Sequence, residues 1–475
     1  MKNDICGPKL SFSDCELEIL RNAVDKAEKR LAVEKVRSPN VKEIISLVEI
    51  FLKNKKLVCY GGTAINNILP KKDQFYNYSE EIPDYDFFSP DALNDAKELA
   101  DIYFKEGFTE VEAKAGVHHG TYKVFVDFIP VADITQLSPP IFKTFKKNAV
   151  QVNNILYTPP DALRMFMYLE LSRPLGDVTR WEKVMKRISL LNKNYPLTSS
   201  NCNIDSFQRI FEGKEDYTNI YNITKDTIID HNYIFFGGYA SYLYSRYMPK
   251  HIQKKFIKHP DFDVLAKDPK KAAEQIKSRL INDGIKNVKI KKHDAVGDHS
   301  VLLLPIHYEV IVGKDTIAMI YQPLNCHSYN QINISGKKIK VATIDTMLSF
   351  YLAFIYANRD YYDVNRILCM SKYLFQVQQH NRLAQKGLLK RFSIECYGDV
   401  ISFDEMRLEK SRQFKELKNK PNSKQYESLF LKYRPEDEKK RKNKNVNKKT
   451  KKNKVIKNKT RKNKNILSGI FKIKI

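Results

Sequence analysis

Apolar residues recur every three or four positions at the start of the chain. Leu17, Leu20, Val24, Ala27 and Leu31 form one series, and Val41, Ile44, Ile45, Val48 and Phe51 a second. That spacing predicts two amphipathic helices, over 14–37 and 41–52, packing on the domain C-terminal to them. From residue 57 the period changes. Leu57 to Tyr60 is a short apolar run with strand character, Gly61-Gly62 interrupts it, and TAINNIL resumes as a helix. A strand over 84–88, a helix over 91–105 and strands near 108–114 and 121–129 continue an α/β pattern. PPDALRMFMYLEL, 159–171, reads as a helix with proline at its start. The polar stretch NKNYPLTSSNCNIDS, 192–206, marks a boundary.

The pattern then returns. YIFFGGYASYLY at 233–244 repeats the strand, Gly-Gly and helix, and PDFDVL at 260–265 stands against PDYDFF at 83–88. HYEVIV at 307–312 aligns with KVFVDF at 123–128, and TIDTMLSFYLAFIY at 343–356 with TPPDALRMFMYLEL at 158–171. Gly61 to Asp84 is 23 residues and Gly237 to Asp261 is 24; Asp86 to Asp127 is 41 and Asp263 to Glu309 is 46. Four features in one order at near-equal spacing indicate an internal duplication of one α/β domain. The expected organisation is a helical N-terminal segment over 1–56, a first domain with trailing helices over 57–200, a second copy with a helical extension over 201–435, and a tail over 436–475.

Charge changes the picture most. The chain of 475 residues carries +27 at pH 7, and 439–464 alone holds fifteen Lys or Arg without an acid. With those fifteen removed the remainder still carries +12. The tail has almost no apolar residues to bury and reads as disordered. A basic body points to a polyanionic partner, nucleic acid before membrane. The longest apolar run, Met347–Ala357, is too short to span a bilayer, and MKNDICGPKL lacks a signal-peptide core. Seven scattered cysteines show no metal-site spacing, and their odd number argues against a disulfide framework, so an intracellular setting is expected.

Period two puts Asp84 and Asp86 on one strand face, where two carboxylates repel each other and resist burial. Alternation along KVFVDFIP adds Asp127. Three converging carboxylates suit a hard divalent cation, Mg²⁺ or Mn²⁺, and two such ions can clamp a phosphoryl displacement. Gly61, Gly62 and Thr63 supply the complement: backbone N–H groups at a helix N-terminus and a hydroxyl, both suited to phosphate. Asp133, past Pro130, reads as a loop residue. His118 and His119 read as surface histidines, and Lys114 and Lys123 as a solvated strand face.

GGTAIN followed by PDYDFF and VFVDF resembles the DNA polymerase β-like nucleotidyltransferase superfamily. More closely, 15–375 resembles the poly(A) polymerase catalytic subunits of large cytoplasmic DNA viruses of poxvirus, asfarvirus and mimivirus type. The resemblance implies two tandem nucleotidyltransferase-like domains, the second degenerate, and template-independent transfer of AMP from ATP to an RNA 3′ end with two Mg²⁺ or Mn²⁺ ions. It assigns both metals to Asp84 and Asp86, the metal activating the 3′-hydroxyl to Asp127, and the β- and γ-phosphates to Gly61, Gly62 and Thr63. It implies RNA and ATP as partners, with room for a homodimer or a processivity subunit, and no membrane. It places the protein in host cytoplasm, with the virion as a second location. In the second copy Asp261 and Asp263 survive, Glu309 stands where Asp127 stood and Tyr239 replaces Thr63, so that copy is expected to be structural or RNA-binding. The base choice stays open between ATP and the substrates of uridylyl or CCA-adding enzymes, as does the reading of an inactive RNA-binding scaffold.

Overall fold

Two eight-stranded sheets organise the computed structural model, which describes residues 10–79, 81–200, 202, 217–256 and 260–440. The first unit contributes β1 (Val58–Tyr60), β2 (Tyr85–Ser89), β3 (Val111–Ala115), β4 (Thr121–Val126), β5 (Ile129–Gln136), β6 (Val150–Val152) and β7 (Ile155–Tyr157). The second contributes β8 (Ile234–Phe236), β9 (Phe262–Leu265), β10 (Val288–His293), a separate pair β11 (Val296–Gly297) and β12 (Leu302–Leu304), then β13 (His307–Val312), β14 (Asp315–Tyr321), β15 (His327–Ile334), β16 (Lys337–Ala342) and β17 (Cys396–Tyr397). One last strand, β18 (Lys432–Tyr433), belongs to the first sheet.

The duplication is visible strand by strand. The first sheet runs β3-β4-β5-β2-β1-β7-β6 and the second β10-β13-β14-β9-β8-β16-β15. Corresponding pairs share direction: β1 with β2 and β8 with β9 are antiparallel, while β2 with β5 and β9 with β14 are parallel. Even the register irregularity recurs, between Val124 and Phe125 in β4 and between Val310 and Ile311 in β13. The helices Pro160–Leu171 and Ile344–Phe354, the repeated apolar pair, pack against each other and join the two units. All eleven residues of Ile344–Phe354 are buried, which explains its apolar character on every side. Arg164 is fully buried in this joint, where it binds Asp161 and donates to Asn192 Oδ1 at 2.8 Å and to the Leu191 carbonyl at 3.0 Å.

The two N-terminal helices behave differently. Pro39–Lys55 buries Val41, Ile44, Val48, Phe51 and Leu52 against the first sheet. Phe12–Arg37, expected to pack likewise, leaves Leu17, Leu20, Val24 and Leu31 exposed. The segment after the second sheet returns to the first. β18 pairs with the edge strand β3, Tyr433 Oη donates to Asp101 at 2.7 Å, and Lys97 binds Glu427. An otherwise open sheet edge is thereby covered. Residues 441–475 of the basic tail lie outside the described residues.

Disulfides between described residues correct the expectation from cysteine spacing. Cys202 bonds Cys369 and Cys326 bonds Cys396, across separations of 167 and 70 residues that no local motif reveals. Cys59 is a buried free thiol. No helix among the described residues is long and apolar enough to cross a membrane.

Candidate active site

β1 ends at Tyr60, and the chain turns through Gly61 into the helix Gly61–Ile68. Gly61 has φ +74°, a left-handed conformation that favours glycine. A Cβ there would fall well inside 3.0 Å of the Asp86 carboxylate. A Cβ on Gly62 would strike the Tyr76 hydroxyl and lie 2.7 Å from Arg187 Nη2. Both glycines therefore serve close approach: the first to the acid, the second to a brace in which Arg187 donates to Tyr76 Oη at 2.7 Å. Thr63 is buried, and its hydroxyl donates to the Asp84 carbonyl at 2.7 Å. It fixes the entry to β2 against the helix.

Asp86 stands in register with Tyr60 on one side and with Asp133 of the parallel neighbour β5 on the other. Asp84 immediately precedes the strand and is exposed at its mouth. Desolvation, reinforced by Asp84 and Asp133, pushes the Asp86 carboxyl up to about 8. Partial desolvation and then Asp133 raise that of Asp84. Asp86 and Asp133 are thus cross-strand neighbours, with Asp84 two residues before Asp86.

Asp127 is not among them. Asp127 and Phe128 form a two-residue turn with φ +49° and +64°, linking Val126 to Ile129 at the far end of the β4–β5 hairpin. The expectation of a strand-borne Asp127 beside Asp86 fails because the strand ends one residue earlier and reverses. The third acid is Asp133, which lies within β5 and not in the loop expected of it. Two apolar runs flanking Asp127-Phe128 carry a hairpin signal, but Phe is a poor turn residue; here it is 82% exposed. Pro130 lies one residue inside β5, a tolerated position that suggests a strand end.

Lys123 of β4 is in register with Asp133 and bonds its carboxylate. Lys114 of β3 follows in the same row. Across the sheet the row therefore reads Lys114, Lys123, Asp133, Asp86, Tyr60. The corresponding row in the second sheet reads Lys291, Glu309, Met319, Asp263, Phe236. Glu309 is thus the counterpart of Lys123, not of Asp127, and an apolar Met319 occupies the place of the third acid. Glu309 is held by His293 Nε2 at 2.8 Å and by Thr316. Asp261 is fully buried and receives Arg366 Nη2 at 3.5 Å. Among the described residues no three acid, histidine or cysteine side chains are gathered as a closed metal cage in either unit. In the first unit Asp133 is engaged by Lys123, and the donors nevertheless suit a hard divalent ion. They are oxygen ligands on adjacent strands, and their repulsion would be relieved by positive charge.

A cleft of about 920 Å³ opens between the β3–β4 turn, Ser300 and the helix Phe403–Leu417. His118 and His119 line it and are exposed, as expected, with Lys410 and Arg412 on the facing helix. Lys410 Nζ donates to the Gly116 carbonyl at 2.5 Å.

A Gly-Gly turn opening a helix beside strand-borne acids, in a mixed sheet, is an arrangement suited to receiving a metal-bound phosphate. Residues 46–177 match the family model of the poly(A) polymerase catalytic subunit. A protein of African swine fever virus (strain Badajoz 1971 Vero-adapted), described as "Putative poly(A) polymerase catalytic subunit", is 33% identical over 188 residues, 38% of this chain and 39% of that protein. A protein of the same description from Acanthamoeba polyphaga mimivirus is 25% identical over 451 residues, 84% of this chain and 74% of that one. The crystal structure of the Megavirus polyadenylate synthase shares the fold with a TM-score of 0.75 at 20% identity, over 94% of this chain and 91% of that one.

Proposed function

We propose that the protein is a template-independent poly(A) polymerase that adds AMP from ATP to RNA 3′ ends. The observation that carries this is the placement of Asp86 and Asp133 side by side at the Gly61 turn, within the matched domain. In the transfer the RNA 3′-oxygen bonds to the α-phosphorus of ATP. The bond from that phosphorus to the bridging oxygen breaks, pyrophosphate leaves, and the hydroxyl proton is lost to solvent. Mg²⁺ or Mn²⁺ held by Asp84, Asp86 and Asp133 would neutralise the triphosphate and acidify the hydroxyl. The chain itself supplies position: the first-turn N–H groups at Gly61 and Gly62 face the phosphates, and Thr63 holds Asp84 in reach of the site. Positioning and charge neutralisation supply most of the rate in such transfers.

The cleft beside Lys410 and Arg412 is the path we assign to RNA, whose phosphates give affinity without sequence readout. The second unit, with Met319 and the Asp261–Arg366 pair, supports the fold and does not catalyse. The infected-cell cytoplasm is the place this reading carries with it.

Primer extension with an unstructured RNA, Mg²⁺ or Mn²⁺ and each nucleoside triphosphate separately tests the proposal. Long tails with ATP alone, lost by at least ~100-fold in Asp133→Asn and kept within about twofold in Asp127→Asn, are expected from the cost of losing a positioned ligand. Tails with another nucleotide would change the substrate. Loss in Asp127→Asn with retention in Asp133→Asn would overturn the site.

A further inference from the structure

We propose that Lys123 is a built-in counter-cation that occupies Asp133 in the absence of a divalent ion, competes with the ion for that carboxylate, and so sets the ion concentration at which the site fills. The inference rests on the reading of Asp84, Asp86 and Asp133 as metal ligands.

Three observations meet here. Lys123 is directly opposite Asp133 in the β4–β5 register, and its ammonium bonds Asp133 Oδ2. The pair is semi-enclosed, with the lysine side chain 38% and the aspartate 17% exposed, so water screens it only in part. The duplicated sheet supplies an internal comparison. Where the third acid has become Met319, the lysine position has become Glu309. A lysine whose task was to solvate a strand face would have no reason to change with the acid. A lysine whose task is to balance that acid loses its purpose when the acid goes, and an acidic residue then becomes tolerable.

The physical need is plain. Asp84, Asp86 and Asp133 repel one another, and a cation beside them relieves part of that repulsion. Lys123 neutralises Asp133 and holds the folded site together until the ion arrives. Because it binds the same oxygens, it also withholds a ligand. Lysine suits this role better than arginine. Its ammonium is a compact point charge on a flexible stem that can swing away, whereas a guanidinium would grip the carboxylate through two oxygens.

The test is binding of Mn²⁺ alone to the full chain, read by electron paramagnetic resonance or calorimetry, without RNA or nucleotide. Lys123→Met is expected to bind Mn²⁺ on the order of tenfold more tightly than the parent, and Lys123→Arg more weakly, from loss or strengthening of the competing charge. Asp133→Asn should abolish the difference between Lys and Met at 123. The Mn²⁺ concentration for half-maximal extension should fall in Lys123→Met in parallel. Unchanged or weaker Mn²⁺ binding in Lys123→Met would overturn the proposal while leaving the catalytic reading intact. A parent chain that binds no Mn²⁺ would overturn both.

Discussion

Gly61→Ala separates backbone strain from the close approach at the acid. At φ +74° an alanine carries the left-handed penalty, about 1–2 kcal/mol. The added Cβ would also sit well inside 3.0 Å of Asp86 Oδ2 and 3.1 Å from Asp86 Cγ, whereas ordinary contact begins at 3.4 Å. Asp86 must therefore withdraw by on the order of 1 Å, a displacement that costs roughly 100-fold in a reaction governed by position. Gly107 provides the matched control, since it has φ +104° and nothing within 4 Å of a Cβ. Gly61→Ala should lose at least as much thermal stability as Gly107→Ala, since it adds the clash to the same class of backbone penalty. Only Gly61→Ala should lose turnover, read as single-turnover extension at saturating ATP and Mg²⁺. If Gly61→Ala stays within twofold of Gly107→Ala in turnover, the close packing of glycine on the acid is not what sets the geometry.

Buried charge sets two other outcomes. Asp345 is 1% exposed and binds Arg391, which donates from Nε at 3.3 Å and from Nη2. Asp345→Ala strands the guanidinium and should cost about 3–5 kcal/mol in denaturant unfolding, whereas the double variant Asp345→Leu, Arg391→Met should lie near the parent; equal losses in both would refute the stranded-charge account. With Asp86 raised to about 8 by desolvation and its acidic neighbours, the folded chain holds a proton that the unfolded chain releases near the usual carboxylate range. Stability without metal should therefore fall as pH climbs from that range through about 8, and both Asp86→Asn and saturating Mn²⁺ should flatten the slope. A slope unaltered in Asp86→Asn would place the titration elsewhere.

The tandem architecture is legible in the sequence because Gly-Gly, D-x-D and the apolar helix each rest on local pattern. Gly61 and Asp86 fall where the chain's own alternation places them. Asp133 and Lys123 are hidden for a different reason. Their partnership exists only across strands, and a two-residue reversal at Asp127-Phe128 shifts everything after it onto a new strand. With one acid misplaced, the alignment of the second copy inherits the error, and Glu309 is matched to Asp127 when its register partner identifies it with Lys123. Arg366, which neutralises Asp261 from 105 residues away, and the disulfides are likewise contacts of the folded chain with no local signature.

The two units show what converging acids demand of a fold. The first keeps Asp84, Asp86 and Asp133 and balances them with a movable lysine, which leaves the mouth of the site accessible. The second resolves the same repulsion permanently. Met319 removes one charge, and Arg366 answers Asp261. Tyr361, Tyr362 and Arg366 line, with Asp263, a pocket of only about 30 Å³. That volume accommodates about one water, against the several hundred Å³ that a nucleotide-sized ligand requires. A buried Asp261–Arg366 pair and an apolar Met319 settle the charge within the second unit, whereas on the proposed reading the first relies on a lysine that an ion can displace. On that reading, the residue opposite the third position, Lys123 beside Asp133 in one sheet and Glu309 beside Met319 in the other, follows whether the site has to exchange a cation.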